Sequence, residues 1–235
     1  MKKNLYVFYL LLCFSLFPFV GRSETDTYRV NVGEFSKLKV VNDINVKYVC
    51  NPDSAGLAVF TCDSRFADGF LFVNKNGTLK ISLNTDYTHL SDYMPALTVY
   101  STFLTSAENQ SKYDLDLIGV VPCPEISVKV VGNGAINANN LKATKIKASL
   151  TTGNGTITIT GESDFAEYEM LGTGRIIAQD LKAETVNCKV FGTGSISCWP
   201  IETLHVKGLG STTVYYKGDP MTIKKSGIAK IEPLR

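Results

Sequence analysis

Histidine is nearly missing from this chain: only His89 and His205 occur among 235 residues. A Ser or Cys nucleophile needs a positioned base, and neither histidine has an obvious nucleophile beside it. His205 alternates with Leu204 and Val206, which directs it outward into water, and His89 lies in the polar run Asp86-Tyr87-Thr88-His89. No Cys-x-x-Cys occurs, so no zinc ligand set can be assembled from neighbouring residues. Net charge is also missing. The chain has 24 basic and 22 acidic residues, and removing Lys2, Lys3 and Arg22 with the leader leaves 21 against 22. That balance removes the electrostatic case for nucleic acid or an anionic membrane as partner. No unit shows 3.6-residue apolar periodicity long enough for a helix that crosses back over a sheet.

Long apolar runs are absent beyond one. Leu5 to Val20 is 16 residues, preceded by Lys2-Lys3 and followed by Gly21-Arg22-Ser23. It is shorter than the roughly 20 residues of a spanning helix and reads as a secretory signal peptide cleaved near Ser23. An uncleaved anchor and a lipid-modified Cys13 are the alternatives, the second disfavoured because Leu10-Leu11-Leu12 lacks the small residue such processing prefers. Export leaves an odd set of cysteines, namely Cys50, Cys62, Cys123, Cys188 and Cys198. Cys50 with Cys62 is the candidate disulfide, and Cys188 falls at an inward strand position as a small hydrophobe.

Glycine, by contrast, is patterned. Gly-x-Gly recurs at Gly132/Gly134, Gly153/Gly155, Gly172/Gly174, Gly192/Gly194 and Gly208/Gly210, spaced 21, 19, 20 and 16 residues apart. A period in this range marks a solenoid whose coils bury their apolar faces on one another. Two residues past the second glycine stand Ile136, Ile157, Ile176 and Ile196, with Thr212 in the fifth unit. A second apolar position follows at Leu141, Leu181 and Ile201, delayed to Phe165 in the second unit.

Each unit therefore reads as two short strands and two corners. One corner falls at Gly-x-Gly, where both glycines serve as turn residues because glycine enters positive φ freely. The other falls near Asn139-Asn140, Glu162-Ser163-Asp164, Gln179-Asp180 or Trp199-Pro200. Parallel coils should wind right-handed. None of the pairs has the third glycine, preceding strand and following helix of a phosphate loop, and none is followed by the aspartate of a calcium-binding repeat.

Upstream, Leu38-Val40, Ile44-Val49, Leu57-Phe60, Leu79-Leu83 and Leu97-Tyr100 alternate like strands, separated by Asn42-Asp43, Asn51-Pro52-Asp53 and Asn76-Gly77. Ser101 to Pro124 reads as a loop or short hairpin between two halves. The expected fold is all-β: residues 1–23 signal peptide, 24–125 an N-terminal β region packed on or continuing the rest, and 126–235 the solenoid.

Several motifs together resemble the auto-transporter adhesin head GIN domain family of Bacteroidetes secreted proteins. They are Val32-Gly33-Glu34-Phe35-Ser36-Lys37-Leu38, Ile44-Asn45-Val46, Asn76-Gly77-Thr78-Leu79-Lys80-Ile81, and the glycine units closing in Tyr215-Tyr216-Lys217-Gly218-Asp219-Pro220. The resemblance implies a β-solenoid, a surface or envelope location (periplasm, outer-membrane surface or extracellular) and an adhesive role without established catalytic residues; no metal and no cofactor are expected from the residues.

The residues themselves add candidates. Trp199, Tyr215 and Tyr216 are the aromatic contacts for a glycan or protein. Glu167 with Glu169, and Asp114 with Asp116, share strand faces in the way a glycan-cleaving pair would, although a solvated outer face is the reading preferred for them. Lys217, Lys224, Lys225 and Lys230 would blunt the last strand edge, and otherwise that edge would join copies into an oligomer. The expected function is thus non-catalytic surface binding. A polysaccharide-acting enzyme and a structural or signalling envelope component are the alternatives.

Overall fold

The computed structural model describes residues 25–234, so the signal peptide expected at 1–23 lies outside the described residues. Alternating side chains build β1 (Thr25–Asn31), β2 (Lys37–Val40), β3 (Val46–Cys50), β4 (Leu57–Asp63), β5 (Phe70–Lys75), β6 (Thr78–Leu83), β7 (Leu97–Ser101), β8 (Ser106–Asn109) and β9 (Asp114–Ile118). They continue through β10 (Cys123–Val130), β11 (Ala135–Leu150), β12 (Asn154–Met170), β13 (Thr173–Val190), β14 (Thr193–Gly208), β15 (Ser211–Tyr216), β16 (Thr222–Gly227) and β17 (Lys230–Pro233). Hydrogen bonds join all of them into one sheet, wound as a solenoid of about 6 turns.

Two apolar ladders run the length of the shaft. The first is Leu97, Val46, Leu115, Ile136, Ile157, Ile176, Ile196, Val214 and Ile231, each in register with the next. The members from Leu97 to Val214 are fully buried, and each such side chain contributes roughly 1.5–3 kcal/mol. Facing them across the shaft stand Leu79, Leu38, Ala107, Val128, Ala148, Tyr168, Cys188 and Val206. Because the ladders cross residue 125 unbroken, the N-terminal β portion continues the solenoid rather than packing on it.

The coils are not stacked in chain order. The coil of β2 and β3 lies between that of β6 and β7 and that of β8 and β9. Beyond β7, β4 and β1 add antiparallel, and β5 folds back on β6 through Asn76 and Gly77, both at positive φ. Antiparallel strands and their aromatics Tyr28, Phe60 and Phe70 thus close the N-terminal end.

Five expectations are corrected. Ser101–Pro124 is neither loop nor hairpin: β8 and β9 form a complete coil. Asn109 takes a core position there because its amide donates to Tyr113 O and Ala135 O and accepts from Ser111 N, so no polar atom is stranded. Secondly, β11 to β14 do not break at the second corner. Each bends through it as one strand, with register shifts at Ala138/Leu141, Thr158/Thr160 and Ala178/Lys182, as a β-bulge allows. At that bend Leu141 and Leu181 are buried as expected, but Gly161 stands between them. Phe165 is only half-buried and Ile201 is exposed.

Thirdly, the fifth glycine pair is out of phase. Gly208 sits in the ladder of Leu150, Met170 and Val190, Thr212 pairs with Gly194, and Val214 takes the isoleucine position.

Fourthly, the second glycines of the first four pairs are not turn residues. Gly155, Gly174 and Gly194 lie inside β12, β13 and β14 and stand in register with one another, while Gly134 leads directly into β11. The chain bends one or two residues earlier, at Gly132, Gly153, Gly172 and Gly192. Gly134, Gly155 and Gly174 are instead buried between coils. A Cβ on Gly134 would come 2.7 Å from Tyr113 O, and one on Gly155 would come 2.6 Å from Val130 Cγ1. On Gly174 it would run into the Gly155 carbonyl oxygen of the coil below.

Lastly, most of the ten glycines are not chosen for positive φ. Gly192 lies outside the left-handed region, and a Cβ on it would come 1.9 Å from the Gly172 carbonyl oxygen of the preceding coil. Close backbone approach between coils is what excludes a side chain there.

Candidate binding surface

Alternation at the end of β15 separates the two tyrosines. Tyr215 points outward in register with Ser197 and Glu232, whereas Tyr216 registers with Cys198 and packs against the core. Trp199 lies at the bend of β14, opposite Lys182. Its ring carries two ammonium groups, Lys182 Nζ at 4.8 Å and Lys217 Nζ at 4.1 Å. Lys217 is in turn held by Asp180 at 3.2 Å. Such contacts contribute about 0.5–1 kcal/mol each at exposed sites. The fold therefore gathers Trp199, Lys182, Lys217 and Asp180 at one corner and turns Tyr216 into the core.

The paired carboxylates share outer faces as the spacing requires, yet one member of each pair is engaged. Lys189 and Lys145 bracket Glu167, the latter at 3.5 Å. These ammonium groups, Lys189 first, hold its carboxyl below the usual range. Glu125, bonded to Lys147 at 2.7 Å, is lowered in the same way. Asp116 accepts a hydrogen bond from Asn137 Nδ2 at 2.9 Å. A carboxyl held ionised by two lysines is poorly suited to donate a proton as a general acid.

His89 is exposed in the 3-10 segment Thr85–Tyr93. His205 does face outward, but it does not simply meet water: its Nε2 is buried and has no partner. Among the described residues no group of three or more His, Cys, Asp and Glu could hold a metal ion.

The Cys50–Cys62 pair is also corrected, because both thiols are free. Cys50 lies opposite Ser101 of β7, while Val59 of antiparallel β4 lies opposite Thr98 and Cys62 continues away from Ser101. That places them on the order of 20 Å apart along the strands at roughly 3.3 Å per residue. Cys50 Sγ bonds instead to Thr102 O at 3.0 Å.

Residues 34–220 match the family described as "Putative auto-transporter adhesin, head GIN domain". The chain belongs to this family. No curated protein matches it. Solved structures share the head GIN fold. A putative adhesin from Bacteroides fragilis superposes with a TM-score of 0.80 at 20% identity, covering 91% of this chain and 98% of that one. A putative adhesin from Parabacteroides distasonis gives 0.70 at 19%, covering 91% and 98%. A structure described as a putative lipid binding protein from the same species gives 0.67 at 20%, covering 92% and 98%. The family match stops at Pro220, before β16 and β17. Among the described residues no helix is long and apolar enough to cross a membrane.

The aromatic candidates were visible in the sequence, but the lysines around them were not. Lys182 meets Trp199 only because the register slips at Ala178/Lys182, and no local spacing encodes that slip.

Proposed function

We propose that this head GIN protein is an exported, non-catalytic surface protein that binds a glycan or a protein through its outer faces. The observation that carries this reading is the outer surface itself. Parallel coils stack outward side chains into regular rows, such as Asn137, Thr158 and Ile177, or Lys145, Phe165, Thr185 and Thr203. Extended rows of this kind suit a repetitive or broad partner better than a small substrate. The engaged state of Glu167 and Asp116 supports binding over hydrolysis.

The test is a glycan array probed with the purified protein, combined with chromatography of candidate polysaccharides after long incubation. Retention of a glycan without fragments is the expected result. Released oligosaccharide that disappears in Glu167→Gln or Asp114→Asn would replace this reading with a hydrolase. Neither binding nor release would leave a structural envelope role.

A further inference from the structure

The outer face built by β10, β16 and the second halves of β11 to β14 carries two adjacent rows. One reads Ser127, Lys147, Glu167, Asn187, His205, Lys224, and the other Lys129, Ser149, Glu169, Lys189, Lys207, Ser226. Toward the N-terminal end Lys147 and Lys189 are matched, while Lys129 forms no ion pair among the described residues. Lys147 bonds Glu125, Lys145 bonds Glu167, and Lys189 bonds Glu167 as well. After Glu169 the carboxylates stop. Lys207, Lys224 and Lys225 form no ion pair among the described residues. Lys225 stands in register with buried Val206, at the open last coil where nothing covers that position.

These lysines border a cavity of about 330 Å³, lined by Asn187, Lys189, His205, Lys207, Lys224 and Lys225 among others. That volume is at the lower end of small-ligand sites, about 300–1,000 Å³. Two atoms of its lining are buried without any partner, Asn187 Oδ1 and His205 Nε2. A buried polar atom left unpaired costs about 1–3 kcal/mol, so a ligand that bonds both recovers that loss. The two free ammonium groups of the outer rows, Lys207 and Lys224, call for an anion. The Asn187 acceptor calls for a hydroxyl or amide donor, which a bare inorganic anion lacks. A sugar bearing a carboxylate or sulfate supplies both.

We infer that this groove at the C-terminal end of the solenoid is a subsite for an acidic sugar residue of a glycan, held by Lys207 and Lys224 with Asn187 and His205 beneath. The inference rests on the adhesive reading above and narrows its ligand class. Lys224, Lys225 and Ser226 of the groove lie on β16, beyond the family match.

Calorimetric titration of the purified protein with tetragalacturonate and with a sulfated heparin tetrasaccharide tests it. Neutral cellotetraose, inorganic sulfate and phosphatidylglycerol vesicles are the comparison probes. At least one acidic tetrasaccharide should bind, weakening about tenfold or more between 50 and 500 mM salt, since exposed charge is screened. Lys207→Glu with Lys224→Glu should abolish that binding, while Lys142→Ala, on the same solenoid but outside the groove, should leave it intact. Both altered lysines are exposed, and an unchanged melting temperature excludes unfolding as the cause. Asn187→Leu should weaken the tetrasaccharide more than sulfate.

Equal affinity for cellotetraose, or equal response of sulfate and tetrasaccharide to Asn187→Leu, overturns the acidic-sugar subsite. Vesicle binding without tetrasaccharide binding overturns it in favour of a membrane surface. Glycan-array binding untouched by the double charge reversal overturns this inference and leaves the adhesive reading standing, whereas a blank array together with blank titrations removes both.

Discussion

Replacing Gly192 with alanine decides why the glycine pairs are there. If backbone freedom were the reason, a glycine outside the left-handed region would be dispensable, and alanine would stabilise the fold by about 0.4–1 kcal/mol through the unfolded chain. The stacked geometry requires the opposite sign. The new Cβ would stand 1.9 Å from Gly172 O and 3.1 Å from Leu171 C, where a carbon–oxygen contact normally needs about 3.3 Å. The coils would have to part by more than about 1 Å at this corner. The bonds at risk are Thr193 N to Gly172 O at 3.1 Å and Phe191 N to Met170 O at 2.8 Å.

Overpacking costs about 1–3 kcal/mol, and each weakened bond about 0.5–1.5 kcal/mol. The sum is about 2–6 kcal/mol, a large part of the roughly 5–15 kcal/mol that a domain has in total. Gly132→Ala is the companion: nothing lies within 4 Å of its Cβ, but φ is 112°, so its cost of about 1–3 kcal/mol comes from the backbone alone. Urea denaturation followed by circular dichroism measures both. Gly192→Ala matching or exceeding wild-type stability would refute the close-approach argument.

Three further outcomes follow from the same coordinates. Ile176→Asp should abolish the cooperative transition, because an unpaired charge in the ladder costs several kcal/mol. Ile176→Val should cost only about 0.5–1.5 kcal/mol, and a wild-type-like melt of the aspartate variant would contradict the ladder. Tyr168→Phe should match or exceed wild-type stability by up to about 1–3 kcal/mol, since the Tyr168 hydroxyl is fully buried with no partner; a clear loss in thermal denaturation would show that the hydroxyl has one. The lowered carboxyls of Glu167 and Glu125 add stability above the unfolded glutamate value of about 4.3, and this is lost as pH falls through their folded values. Melting temperature should therefore drop on acidification below about pH 4, and Glu167→Gln should melt lower at pH 7 while losing less on acidification.

Much of this architecture is local information. The spacing of Gly132, Gly153, Gly172 and Gly192, with an isoleucine two residues past each pair, determines a parallel coiled stack, because alternation allows only one face of each strand to be buried. Register is not local. Gly208-Leu209-Gly210 looks like a fifth corner, yet hydrogen bonding places Gly208 under Val190 and Val214 under Ile196. The two glycines of a pair look alike in sequence, yet stacking puts Gly155 and Gly174 inside strands, where the neighbouring coil leaves no room for a Cβ. Ser106–Asn109 is too polar to read as a rung until Asn109 finds the carbonyls of Tyr113 and Ala135.

The insertion of β2 and β3 between later coils has no local signature, since any coil of matching length satisfies the same ladder. The candidate sites follow the same division. Sequence alone marks Trp199 and the lysines as exposed chemistry. Only the stacked coils decide which charges meet carboxylates, leaving Lys207, Lys224 and Lys225 together without any, because residues about twenty apart become neighbours through backbone hydrogen bonds rather than through any preference of the side chains themselves.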